Sequence, residues 1–308
     1  MSTLFTNFFN KINQISPLEH DFTEVLDAIA LKPKTLYFRG KIPKNVVKNG
    51  KQRRPKTVAI VGSRHNTKYG EEVAYRLAYK LAQKGAIIVS GLAFGIDSIG
   101  HRGCLDASGT TVAVLGTPID QIYPREHLGL AKEIIEKNGA IISEYAPGAR
   151  IIPKWTFLER NRLISGLSDI VVVVEAAEKS GSLNTATHAI EQGKTVFAVP
   201  GNITNPYSQG CNKLIKQGAL PYTEPDDVLR ELFPGEYVKK HKKLKQQNLI
   251  GDTDVETKIL QALANGFRTG EEVMTATHLP PEVFNETITL LEIKSRVRSL
   301  GANRWSLI

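Results

Sequence analysis

The sequence predicts an α/β protein: a doubly wound, mainly parallel sheet followed by a small C-terminal winged-helix-like domain. Six apolar runs predict the sheet: TVAIV (57–61), AIIVS (86–90), TVAVL (111–115), AIIS (140–143), IVVVVE (170–175) and TVFAV (195–199). They are short and β-branched, as strands buried on both faces are, and each pair is separated by enough chain for a crossover helix. Clusters of small residues follow several runs, at Gly62-Ser63-Arg64, SGLAFGID (90–97), Ser180-Gly181-Ser182 and Pro200-Gly201. In an open sheet those ends meet along one edge, where helix N-termini leave N–H groups free for a phosphate or another anion. The winged-helix-like domain is predicted by three helical segments and a terminal hairpin in the last part of the chain.

In chain order, residues 1 to about 31 read as short amphipathic helical pieces, with Leu4, Phe5, Phe8, Phe9 and Ile12 at helical spacing. From Arg39 to Lys56 lie eight basic residues and no acidic one, either an arm with a strong local potential or a solvated linker. After the first strand, Val73, Ala74, Leu77, Ala78 and Leu81 share one helix face, and Gly85 stands where a helix-terminating glycine belongs. A further helix is expected over PDDVLRELF (225–233), then a charged linker around KKHKKLKQQN (239–248). The C-terminal helices are expected in VETKILQALAN, TGEEVMTAT and PPEVFNETITLLEIKSR, and the hairpin in VRSLGANRWSLI. The third helix carries Glu282, Glu286 and Glu292 against Lys294, Arg296 and Arg298 near its end, so protein contact and DNA binding are both open for this module. The expected divisions are 1–56, 57–235, 236–251 and 252–308.

The 308 residues suffice for a substantial core and one or two small modules. Forty Lys and Arg against 31 Asp and Glu leave a formal charge of +9, and the pI near 9.4 favours a polyanionic partner. Cys104 and Cys211 are the only cysteines and stand far apart, which points to neither a disulfide framework nor a structural zinc. The first residues lack a basic region with a following apolar run, and no stretch approaches a membrane span, so a cytoplasmic protein is expected.

Several motifs carry chemistry. Gly62 allows a tight turn, and Ser63 and Arg64 offer a hydroxyl and a planar bidentate donor. No G-x-G-x-x-G fingerprint and no G-x-x-x-x-G-K-[ST] loop occurs, which argues against NAD binding and P-loop ATP hydrolysis. Gly91 and Gly95 let the backbone approach a ligand, and Asp97 falls where a carboxylate caps free N–H groups. His101 lies four residues later, within reach of Asp97; such a pair supports general base chemistry, although no nucleophile accompanies it. Around RNR, Lys154, Arg160 and Arg162 are interleaved with Trp155, Phe157 and Asn161, the mixture used by single-strand nucleic acid sites. At least one of these arginines is expected to be structural. Ser180, Gly181 and Ser182 open another helix with hydroxyl donors.

In this order, VGSR, SGLAFGID, HRG, YP, ISE, RNRLISGLSD, VVVEA, SGSLNTA, VFAVPG and NKLIKQGA resemble the DNA-processing protein A (DprA/Smf) family, over about Thr57 to Ala219. The resemblance implies an extended Rossmann-like domain that binds single-stranded DNA without strong sequence preference and forms a homodimer. It further implies loading of RecA recombinase onto DNA displaced by single-strand binding protein, in natural transformation, without catalysis, metal or cofactor. Matching positions put Arg64 on DNA phosphate with Ser63 and Gly62 beside it. Gly91, Leu92, Gly95 and Asp97 would shape the floor, Asn161 and Arg162 the flanks, and Lys154 a second cationic contact. The sequence departs from the family pattern at Gly100, at Cys104, and at Leu158-Glu159, where an aromatic-proline pair is expected. The main rival is a nucleoside monophosphate phosphoribohydrolase of the related superfamily; its P-G-G-x-G-T turn is SGSLNTA here. A transcription factor built on the winged helix is a third class, disfavoured by the acidic third helix.

Overall fold

A computed structural model describes residues 11–48, 51–150, 153–235 and 249–307. They fall into two compact units, Met1–Leu232 and Phe233–Ile308.

The first unit is built on a nine-stranded sheet. Its strands are β1 (Asn13–Ile15), β2 (Leu36–Gly40), β5 (Thr57–Val61), β6 (Ile87–Ser90), β7 (Thr111–Leu115), β8 (Ala140–Ser143), β9 (Ile170–Val173), β10 (Thr195–Ala198) and β11 (Leu220–Pro221), while β3 (Val46–Lys48) and β4 (Lys51–Arg53) form a separate hairpin. The spatial order is β1-β2-β8-β7-β6-β5-β9-β10-β11. From β8 to β11 every pairing is parallel; β2 joins β8, and β1 joins β2, antiparallel. All six expected strands are present, and the sheet is wider than expected because three short strands extend its ends. Of these, β1 and β2 lie where the sequence suggested helical pieces and a basic arm. Three residues such as Asn-Gln-Ile carry no readable period; pairing with Leu36–Phe38 makes them a strand.

The crossover helices are α1 (Lys68–Gln83), α2 (Ile96–Asp106), α3 (Leu128–Glu136), α4 (Pro153–Gly166), α5 (Gly181–Glu191) and α6 (Gln209–Lys216), and α7 (Pro225–Leu232) follows the last strand. The strand period of two divides the sheet between them. Ala59, Val61, Val112 and Val114 pack with Leu163 and Ile164 of α4, Ala186 of α5 and Leu214 of α6. On the other face Ala113 and Leu115 pack with Leu105 of α2 and with Leu130 and Ile134 of α3. α1 is capped by Thr67, whose side chain accepts from the Gly70 N–H, and it buries Ala74, Leu77, Ala78 and Leu81 as expected. Gly85 beyond its end has φ +77°, the left-handed conformation that stops a helix.

The basic stretch is not a free arm. Arg39 is buried within β2, Lys41 Nζ donates to Asn138 Oδ1 at 2.8 Å, and Arg54 lies 3.3 Å from Asp169 Oδ1 at the start of β9. Asp169 also accepts from the Thr57 N–H at 2.9 Å, so these residues fasten the bottom edges of β5 and β9.

The second unit has α8 (Asp254–Ala264), α9 (Gly270–Thr277) and α10 (Pro281–Ile293), followed by the hairpin β12 (Val297–Gly301) and β13 (Arg304–Leu307). Ile259, Leu263, Val273, Phe284, Ile288, Leu291 and Val297 form its core. A reciprocal capping box of Thr269 and Glu272 opens α9. The expected charged linker at 239–248 lies outside the described residues.

Candidate functional site

The strand order reverses between β5 and β9: from β5 the chain winds through β6, β7 and β8 on one side, and through β9, β10 and β11 on the other. The loops leaving two such strands diverge to opposite sides and leave a crevice at their carboxyl ends. A cleft of about 510 Å³ occupies that place, walled by Gly62–His65 after β5, Ala93 and Asp97 after β6, Phe157, Leu158, Arg160 and Asn161 of α4, and Lys179–Ser182 after β9.

The loops are pinned to one another. Ile96 N–H donates to Ser63 O at 3.1 Å, locking the loop after β6 onto the loop after β5. Gly95 sits at that crossing with φ +73°, and a Cβ there would lie 2.3 Å from Ser63 O, so only glycine fits. At Gly62 a Cβ would meet Ile96 Cγ1 at 2.7 Å. Ser63 Oγ accepts from His65 N–H at 3.1 Å, a local turn that leaves Arg64 at the outer corner. Arg64 is exposed, with its guanidinium carbon 5.6 Å from the centroid of the Phe157 ring. Glu175, 2% exposed, accepts from Thr67 N–H at 2.9 Å and from Thr67 Oγ1 at 2.6 Å, joining the end of β9 to the start of α1.

Beneath the cleft Asp97 and Arg160 are both buried. Asp97 Oδ2 accepts from the N–H groups of Gly91 and Ala93 at 3.0 and 3.4 Å. Arg160 donates to Gly91 O at 2.8 Å and also to Val114 O, so one side chain of α4 ties the ends of β6 and β7. Burial raises the Asp97 pKa, opposed first by the Arg160 charge. Burial pulls Arg160 down to about 10 while Asp97 supports it, so the guanidinium stays charged at neutral pH. Gly91 makes room for this head: a Cβ there would be 2.6 Å from Arg160 Nη1.

The remaining candidate residues divide. Ser180 caps α5, its Oγ accepting from the Ser182 N–H at 3.3 Å; Gly181 is exposed, and a Cβ built on it meets nothing within 4 Å beyond its chain neighbours and its own helix backbone. Asn161 reaches from α4 to Gly181 O and Asn184 Oδ1, both at 3.2 Å, and fixes the mouth of that helix. Arg162 does not line the cleft. It turns to Glu144, its Nη2 lying 2.9 and 2.6 Å from the two carboxylate oxygens. Arg162 stands about 200° around the helix axis from Arg160, and its guanidinium is carried away from the cleft. Leu92 is fully buried with φ +58° and offers only its carbonyl, to His127 Nδ1 at 2.8 Å; it belongs to the core rather than the cleft floor. The side chain of Lys154 lies outside the described residues.

The Asp97–His101 pair is not assembled. His101 is fully buried with Nδ1 2.7 Å from Thr111 Oγ1, and the Thr111 hydroxyl donates to Ile88 O at 2.7 Å. The single Thr111 proton is thereby used, so His101 Nδ1 carries the hydrogen and donates. Burial, with the His127 and Arg160 charges, lowers its pKa to about 3, and the ring is neutral. Sequence reasoning did not assign cleft roles to Phe157, Arg160 or Lys179; the first two had only the signal of an aromatic-basic mixture. Glu159, the departure from the family pattern, accepts from Tyr145 Oη at 3.0 Å. No group of three or more His, Cys, Asp or Glu among the described residues could hold a metal ion. Among the described residues no helix is long and apolar enough to cross a membrane.

Residues 13–233 match the family model of DNA recombination-mediator protein A. The chain belongs to this family. The match begins at β1, well ahead of Thr57, and so takes in β1 and β2 of the same sheet. The chain is similar to protein Smf of Escherichia coli, 47% identical over 175 residues (57% of this chain, 46% of that protein). It is also similar to the DNA processing protein DprA of Bacillus subtilis, 46% identical over 175 residues (57% and 58%). It thus spans about half the length of these two family members. Among solved structures, DprA of Streptococcus pneumoniae is 35% identical with a TM-score of 0.62, covering 74% of this chain and 76% of that one. DNA processing protein A of Helicobacter pylori, studied for its single-stranded DNA binding mode, is 31% identical with a TM-score of 0.62, covering 73% and 96%. DprA relatives at this similarity share the Rossmann-like, mainly parallel sheet.

Proposed function

We propose that this protein binds single-stranded DNA through the switch-point cleft, without strong sequence preference and without catalysis, and delivers it to a RecA recombinase. The observation that carries the reading is the convergence at the switch point of Arg64, Lys179 and the N-terminus of α5, with Phe157 beside Arg64. Cations and a helix N-terminus hold phosphates, and an aromatic ring takes an unpaired base of any identity. The Helicobacter pylori relative, known for its single-strand binding mode, points the same way. Asp97 is held by loop amides and His101 by Thr111, an arrangement that favours binding over acid-base catalysis. In this reading the protein acts in the cytoplasm as a homodimer. It protects incoming DNA during transformation and recombination and places RecA on strands taken from single-strand binding protein.

Fluorescence anisotropy of labelled oligothymidine and of matched duplex, across a salt series, tests it. Tight, salt-sensitive binding of the single strand and weaker binding of duplex are expected. Arg64→Ala should lower affinity for all sequences and reduce the salt slope by about 0.7–1. Turnover of a nucleoside monophosphate with no affinity for either DNA would overturn the reading in favour of a nucleotide enzyme.

A further inference from the structure

A second recess lies beside the cleft and shares only Phe157 with it. It encloses about 750 Å³ between the loop after β7 and α4, and its wall includes Gln121, Tyr123, Arg125 and Phe157. Phe157 belongs to both spaces, so the recess continues the cleft rather than standing apart. The Tyr123 and Phe157 rings lie 5.4 Å apart at 40°, and the Arg64 guanidinium stands 5.6 Å from the Phe157 centroid. This makes a row of three planar groups whose outer member, Tyr123, is 50% exposed. Arg125 and Gln121 are exposed beside it. The one carboxylate on the wall among the described residues, Asp120, accepts from the Gly148 N–H at 3.1 Å.

From this we infer that the recess is a second nucleotide subsite, in which Tyr123 stacks on an unpaired base and Arg125 holds the adjoining phosphate. The inference rests on the single-strand reading above and extends it to a path. The path runs across the sheet edge from the N-terminus of α5 after β9, past Arg64 after β5 and Phe94 after β6, to Tyr123 after β7. Phe94, 41% exposed, lies on the loop between Arg64 and Tyr123 in strand order. From β9 to β7 are three strand spacings of ~4.8 Å, about 14 Å. A short oligonucleotide held by Arg64 and the N-terminus of α5 occupies the cleft, and a longer strand reaches the recess. Duplex cannot stack on Tyr123, because its bases already face one another.

The test compares binding of dT3 and dT8 by competition anisotropy for wild type, Tyr123→Ala, Tyr123→Phe, Arg125→Gln and Arg64→Ala, with thermal midpoints confirming folding. Tyr123→Ala should weaken dT8 by roughly fivefold or more and leave dT3 unchanged, while Tyr123→Phe retains the stack. Arg125→Gln should reduce the salt slope for dT8 alone by about 0.7. If Arg64→Ala weakens both oligomers while the Tyr123 and Arg125 variants change neither, the subsite is wrong and the single-strand reading stands. Equal loss on dT3 and dT8 from Tyr123→Ala overturns the subsite too, since Tyr123 then acts only by supporting Phe157. If wild type binds neither oligomer, both readings fall.

Discussion

Replacing Arg160 by methionine removes the cation from beneath the cleft while keeping an apolar stem of similar length. Arg160 is 4% exposed, Asp97 is 6% exposed, and the guanidinium serves two carbonyls, Gly91 O and Val114 O. The substitution leaves Gly91 O and Val114 O without their donor and removes a charge that opposes the raised Asp97 pKa, at a cost of about 3–5 kcal/mol. For a unit of this size that lowers the melting temperature by roughly 6–20 °C. Neutralising the stranded group in the same chain should recover part of the loss. Asp97→Asn in the Arg160→Met background should be less destabilised than the sum of the single variants by about 1–3 kcal/mol. Urea unfolding followed by circular dichroism, on wild type, both singles and the double, closes the cycle. Additivity within ~0.5 kcal/mol would show that Asp97 and Arg160 are not energetically coupled, and the account of the site floor would be wrong.

Three further outcomes follow from the geometry. Gly95→Ala forces a Cβ to within 2.3 Å of Ser63 O at φ +73°; backbone strain alone costs about 1–3 kcal/mol, and single-strand affinity should drop as the Arg64 turn shifts. Gly181→Ala meets nothing within 4 Å beyond its chain neighbours and its own helix backbone; thermal stability should stay within about 1 kcal/mol of wild type, while DNA binding weakens if phosphate approaches this helix N-terminus. His101 has a folded pKa lowered to about 3 from 6.5, so between these values the unfolded chain binds more protons and the folded state loses stability as pH falls. The loss attributable to this residue approaches ~1.4 kcal/mol per pH unit below about 6. The fall in melting temperature between pH 7 and 5 should be smaller in His101→Gln, and an unchanged fall would refute the neutral, buried assignment.

Local pattern carried much of the fold because the parallel strands are buried on both faces. Val58 to Val61 and Val171 to Val173 must be apolar at every position, which leaves an unmistakable run between polar helices. Helix ends were equally legible where one residue decides them, as at Ser180 and Gly85. The edge strands were not, since Asn13–Ile15 and Leu36–Gly40 become strands only by pairing with each other and with β8. Of the cleft, the turns at Gly62–Arg64 and Ser180–Ser182 could be named from the sequence, because glycine and hydroxyl residues at strand ends have few other uses.

The sequence by itself determined the strand runs, their crossover helices and the small-residue turns that open the edge, because each depends on neighbours within a few positions. Only the tertiary structure decided which cations face that edge. Arg64, Arg160 and Arg162 are alike in composition, yet the first stands exposed over Phe157, the second is buried under Gly91, and the third is spent on Glu144. The direction of a side chain is set by the helix phase and by partners far away in sequence, and His101, expected near Asp97, is held by Thr111 for the same reason.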